Sequence, residues 1–81
     1  MPKPTKKDSA HKILWVFRHF GSRPGDVLRV NNIVSVGNLQ RWRMSDLQEG
    51  LDYALQHHWV EQPRSGSFKL TDIGDRELSS H

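Results

Sequence analysis

The sequence predicts an α+β fold with a three-helix core, a short β-hairpin and a short C-terminal helix. Three observations support this prediction. Apolar residues recur every three or four positions over 13–20 and again over 47–55, which is the spacing of amphipathic helices. Apolar and polar residues alternate over 59–62 and 67–70, with turn-forming residues between them. The 81 residues are enough for one domain with one compact core.

The composition is that of a soluble globular domain. The chain is 35% hydrophobic and 26% charged, and it contains no cysteine, so no disulfide or thiolate chemistry is available. The longest apolar run is residues 13–17, far shorter than the roughly 20 residues of a membrane span. The N-terminus lacks the long apolar segment of a signal peptide. We therefore expect a cytoplasmic protein without a membrane segment.

Residues 1–7 contain two prolines and three lysines without apolar periodicity, which predicts a mobile basic arm ahead of one domain over 8–81. The first helix is expected to start near Asp8 or Ser9, because either side chain can cap free amides. Gly21 would end it. Its core stripe would consist of Ile13, Leu14, Phe17 and Phe20.

Two interpretations fit residues 27–42. Apolar residues flank Asn31 and Asn32 on both sides, which is typical of a hairpin with an Asn-Asn turn. The alternative is a short strand followed by a helix that opens at either asparagine. One side of that helix would carry Ile33, Val36 or Gly37, and Gln40. We favour the strand and helix because a three-helix core needs a second helix, and because Leu39 and Trp42 continue the apolar spacing.

The best-defined helix is predicted over 46–57. Ser45 and Gln48 have the spacing of a capping box, and the helix would end near His57 and His58. Its core stripe would be Leu47, Leu51, Ala54 and Leu55. Its outward face would carry Asp46, Gln48, Glu49, Asp52 and Gln56.

The last third of the chain predicts a hairpin and a final helix. Residues 63–66 can turn between the two alternating segments, and Trp59 would pack beneath the hairpin. Thr71 would cap a helix that runs through Leu78. Ile73 and Leu78 would return to the core.

Over about residues 9–78 the chain resembles the winged helix-turn-helix superfamily. In 51–61 the end of a third helix runs directly into a strand, and in 68–74 a strand enters a helix through a Leu-Thr-acid-x-Gly turn. His58 stands where many members of that superfamily have glycine. The resemblance implies double-stranded DNA binding, with the third helix in the major groove and the hairpin, or wing, on the backbone.

Charge is divided unevenly along the chain. Residues 1–43 contain nine lysines and arginines against two acids, whereas residues 44–81 contain three against seven. A basic half can bind a polyanion. The DNA contacts implied by the resemblance and the charge are Arg41, Arg43, Ser45, Gln48, Arg64, Lys69, Lys6, Lys7 and Lys12. The setting we expect is transcription regulation or a mobile element.

Two other functions fit the same residues. Acids on the third helix would meet phosphates with like charge, so that helix could instead dock a basic or apolar protein. The side chains for such a partner would be Trp15, Asp46, Glu49 and Asp52. Structured RNA is the third option. No spacing of residues predicts a catalytic site, a metal site or a cofactor, and without a separate dimerisation helix we expect a monomer or weak homodimer.

Overall fold

The computed structural model describes residues 5–79, and this part of the chain has an α+β fold. Its elements in chain order are α1 (Lys6–His19), β1 (Val27–Arg29), α2 (Val30–Leu39), α3 (Met44–Gln56), β2 (Val60–Arg64), β3 (Ser67–Leu70) and α4 (Asp72–Ser79). The strands form an antiparallel sheet in the order β1-β3-β2. One hydrophobic core joins the helices to one face of this sheet. The α+β class that the sequence predicted is therefore confirmed.

Helix α1 begins earlier than the sequence predicted. Thr5 is its N-cap: the Asp8 N–H donates to the Thr5 hydroxyl (3.1 Å), and the Thr5 N–H donates to the Asp8 carboxylate (3.2 Å). This reciprocal pair is a capping box in which Asp8 is the third helical residue, so the predicted start near Asp8 or Ser9 was wrong. Lys6 and Lys7 consequently belong to the first helical turn and not to an arm. Residues 1–4 of the predicted arm lie outside the described residues.

The end of α1 also differs from the prediction. Ile13, Leu14 and Phe17 are fully buried as expected, but Phe20 is 47% exposed. The helix ends at His19, and Phe20 is already its C-cap, so its side chain leaves the buried stripe.

Residues 27–39 form the strand followed by a helix, and the local hairpin interpretation was wrong. Helix α2 begins at Val30 and not at either asparagine, and the Val30 N–H donates to the Gly66 carbonyl (2.8 Å) in the β2–β3 turn. Its N-cap is Arg29, the last residue of β1, which makes no side-chain capping bond, so a distant backbone group satisfies the first free amide of the helix. Leu39 does not continue the buried face: it is 80% exposed at the end of the helix.

Helix α3 has the predicted core face but not the predicted cap. Its N-cap is Arg43, without a side-chain hydrogen bond, so the Ser45–Gln48 capping box was wrong: the helix begins at Met44 and Ser45 is already inside it. Asp46 is only 9% exposed, which contradicts its predicted outward position. The helix ends at Gln56 with His57 as its C-cap, within one residue of the prediction, and His58 follows with φ of 60°.

The hairpin and the last helix follow the prediction with two exceptions. The turn occupies only residues 65–66, because Pro63 and Arg64, which were predicted to belong to it, are part of β2. Trp59 is buried, and β2 pairs with β3. The Gly74 N–H donates to the Thr71 hydroxyl (3.1 Å), which confirms the predicted cap of α4. Leu78 packs partly buried against the core, whereas Ile73 in the first turn of α4 points away from it and is 49% exposed.

Candidate nucleic-acid interface

The sheet places two arginines on either side of one serine. In the antiparallel register Arg29 of β1 pairs with Ser67 of β3, and Arg64 of β2 pairs with the same Ser67. Neighbouring strands lie about 4.8 Å apart, so the two arginine backbones are roughly 10 Å apart. Both arginines are exposed. We call Arg29, Ser67 and Arg64 the arginine row.

A local irregularity in β2 creates this pairing. Glu61 pairs with Lys69, and the following pair, Arg64 with Ser67, lies three residues further on β2 but only two on β3. This extra residue is a β-bulge, and it brings Arg64 opposite Ser67 where a regular ladder would have brought Pro63. The turn that follows reaches a positive φ of 78° at Gly66, a conformation that glycine adopts without strain.

The charges of the arginine row are uncompensated within residues 5–79. The ion pairs in this part of the chain join His11 to Glu77 (3.1 Å) and Lys69 to Glu61 (3.4 Å), and neither includes Arg29 or Arg64. Lys69 was predicted to contact phosphate, but Glu61 already offsets part of its charge. Arg29 was not predicted, because nothing in the sequence shows that β1 pairs with β3.

A second basic cluster lies in the turn between α2 and α3. Arg41 and Arg43 are exposed on either side of the half-buried Trp42. The backbone N–H of Trp42 donates to the Gly37 carbonyl (2.8 Å). Arg41 has a φ of 60°, in the left-handed region that non-glycine residues rarely adopt. We call Arg41 and Arg43 the turn arginines.

The exposed face of α3 changes in character along its length. Ser45 and Gln48 are exposed near its start, next to the turn arginines, and the outward position of Gln48 was predicted. Glu49 and Asp52 are exposed on the same face further along, so the helix becomes acidic away from the turn. The predicted acidic partner face therefore keeps these two residues and loses the buried Asp46.

The predicted contacts on α1 divide into two groups. Lys6 and Lys7 are exposed in its first turn. Lys12 lies half-buried with its Nζ 5.6 Å from the centre of the Trp42 ring, which ties α1 to the turn arginines. Trp15 is 39% exposed, and its ring meets that of Trp42 edge to face at 5.7 Å.

Comparisons with known proteins found no match for this chain. No family model matches the chain, and neither a curated protein nor a solved structure is significantly similar to it. Within residues 5–79 no helix combines the length and the apolar character needed to cross a bilayer. In the same range no three His, Asp or Glu side chains are grouped so that they could hold a metal ion.

Proposed function

We propose that this chain is a winged helix-turn-helix domain that binds double-stranded DNA, in transcription regulation or in a mobile element. The order of the elements supports the fold assignment: three helices, with a strand between the first two, precede a hairpin, and the first strand joins the hairpin in one sheet. In that architecture α3 would be the recognition helix and the β2–β3 hairpin the wing.

The observation that carries the DNA proposal is the arginine row. Two exposed guanidinium groups flank a serine hydroxyl on the sheet, and no carboxylate in the described part of the chain pairs with them. Guanidinium binds phosphate through two parallel hydrogen bonds, and the hydroxyl is a further donor. Such contacts would position the domain on DNA without reading its sequence.

The turn arginines supply a second point of contact at a suitable distance. Arg29 precedes α2 and Arg41 follows it, so the ten residues of this helix hold the two clusters about 15 Å apart. This spacing is close to the roughly 12 Å width of the major groove, and it would allow phosphates on both sides of that groove to be contacted.

The acidic part of α3 limits how this domain would read bases. Ser45 and Gln48 can donate to base edges near the start of the helix, whereas Glu49 and Asp52 would repel phosphates further along. We therefore propose that most of the affinity comes from the wing and the turn, and that α3 reads few bases.

Chemical-shift mapping tests this proposal. We would titrate the ¹⁵N-labelled protein with a short duplex DNA of arbitrary sequence at about 50 mM salt, where phosphate contacts are strong. The largest shifts are expected at Arg29, Arg64 and Ser67 and in the turn from Arg41 to Arg43. An A-form RNA duplex of the same sequence is the matched control and should shift these signals less. Unchanged spectra with DNA, or shifts confined to α4, would contradict the proposal.

A further inference from the structure

A shallow groove of about 460 Å³ lies between the outer face of α1 and the α2–α3 turn. It is lined by Asp8, His11, Lys12, Trp15, Gln40 and Trp42. We call it the aromatic groove. It is separate from the arginine row, because no residue of the sheet lines it.

The floor of the groove consists largely of two tryptophan rings that are not fully buried. Trp15 is 39% exposed on the side of α1 that faces away from the buried stripe, and its ring stacks on His19 at 5.2 Å. Trp42 meets it edge to face and is only half-buried. Tryptophan is the residue type most enriched at the energetic centres of protein interfaces, because its large apolar surface gains most when water is removed.

The rim of the groove is basic. Lys12 lies over Trp42, and the turn arginines flank Trp42 in the chain. None of these three cations belongs to an ion pair in the described part of the chain. Asp8 also lines the groove, and its carboxylate accepts the Thr5 N–H (3.2 Å) and keeps its negative charge, so the three cations outnumber one acid.

We propose that the aromatic groove docks an acidic segment of a partner protein that carries apolar side chains between its carboxylates. The apolar side chains would cover Trp15 and Trp42, and the carboxylates would pair with Lys12 and the turn arginines. A volume of about 460 Å³ accommodates a few side chains and not a whole helix, so the segment in contact is short. This proposal does not depend on DNA binding by the arginine row.

Charge argues against a second copy of the chain as the occupant. Two copies paired through this face would bring the same three cations together, and like charges brought together across an interface oppose association. A single-stranded nucleic acid could stack its bases on the same rings, and the experiment below includes it as a competitor.

Synthetic peptides test the proposal directly. We would measure the affinity of a fluorescein-labelled peptide of alternating leucine and aspartate by fluorescence anisotropy, next to the same peptide with asparagine in place of aspartate. The acidic peptide should bind more tightly, and the difference should shrink as salt is added. Trp15→Ala should weaken its binding about tenfold, as is usual for an interface anchor. Ile73→Ala, which removes an exposed apolar side chain of α4 outside the groove, is the matched control and should leave it unchanged.

A charge reversal keeps the test independent of whether Trp15→Ala folds normally. Lys12→Glu should weaken binding of the acidic peptide and strengthen binding of a leucine-lysine peptide. Amide NMR spectra of Lys12→Glu and Trp15→Ala would confirm that both variants fold. Equal binding of the acidic and neutral peptides, or indifference to both substitutions, would overturn the proposal. The proposal would also be overturned if the wild type self-associated in sedimentation experiments and Lys12→Glu abolished this self-association. The same holds if single-stranded DNA displaced the peptide and the binding of that DNA depended on Trp15.

Discussion

A side-chain carbon at Gly50 of α3 would lie 2.5 Å from the carbonyl oxygen of Ser9 in α1, so these two helices meet backbone to backbone. Alanine favours a helix over glycine by up to about 1 kcal/mol. We nevertheless expect Gly50→Ala to lower the free energy of unfolding by about 1–3 kcal/mol, because neither backbone can move aside. Urea denaturation measures this.

Gly37→Ala is the matched control for that substitution. Gly37 is also helical and buried, but the nearest atom to its added carbon is Cδ1 of Leu47, the end of a flexible side chain. This variant should lose clearly less stability than Gly50→Ala. Equal losses would show that the contact between α1 and α3 has no special role.

Leu51 tests the core face of α3. The residue is buried, so Leu51→Ala should lower the free energy of unfolding by about 2–5 kcal/mol through lost burial and the cavity left behind. Leu39→Ala is the control, since Leu39 is largely exposed and its removal should change stability by less than about 0.5 kcal/mol. Chemical denaturation of both variants measures the contrast, and a loss from Leu51→Ala as small as that from Leu39→Ala would contradict the packing described above.

Arg41 and His58 share the same left-handed backbone, and this allows stability to be separated from binding. Both have φ of 60°, which costs a non-glycine residue about 1 kcal/mol. Arg41→Gly and His58→Gly should therefore each raise the thermal midpoint. Only Arg41→Gly should weaken duplex DNA binding, because His58 lies outside the proposed interface. If both variants bound DNA like the wild type, the turn arginines would not be part of the DNA interface.

The sequence predicted those features that depend on nearby residues. Spacing identified Leu47, Leu51 and Ala54 as the core face of α3, and the Thr71 cap is local to its helix. The sequence could not reveal Arg29 as part of a site, because the position of Arg29 beside Ser67 depends on a strand pairing between residues almost forty positions apart. The start of α2 was missed for the same reason: its first amide is satisfied by Gly66, a residue of the distant hairpin.

The first turn of α1 should respond to acid. The Thr5 N–H that donates to the Asp8 carboxylate, followed by the Thr5 side chain, lowers the pKa of Asp8 below 3.8. Because this carboxyl pKa is lowered, the contribution of Asp8 to the stability of the folded protein is present above pH 3.8. It is lost as the pH falls through the pKa that Asp8 has in the folded protein. An NMR titration of the Asp8 carboxyl carbon should give a midpoint below 3.8. In Thr5→Ala the midpoint should rise, and a wild-type midpoint at or above the ordinary value would contradict the capping box.

The salt dependence of duplex DNA binding tests the central claim most directly. Each phosphate contact contributes roughly −0.9 to the slope of log affinity against log salt, so Arg29→Ala and Arg64→Ala should each flatten that slope by about one unit. Arg23→Ala is the control, because Arg23 is exposed in the loop at the opposite end of β1. Fluorescence anisotropy at several salt concentrations should show the two flattened slopes, with Arg23→Ala matching the wild type. Four identical slopes, or no duplex binding by the wild type at low salt, would contradict the assignment of the arginine row to DNA.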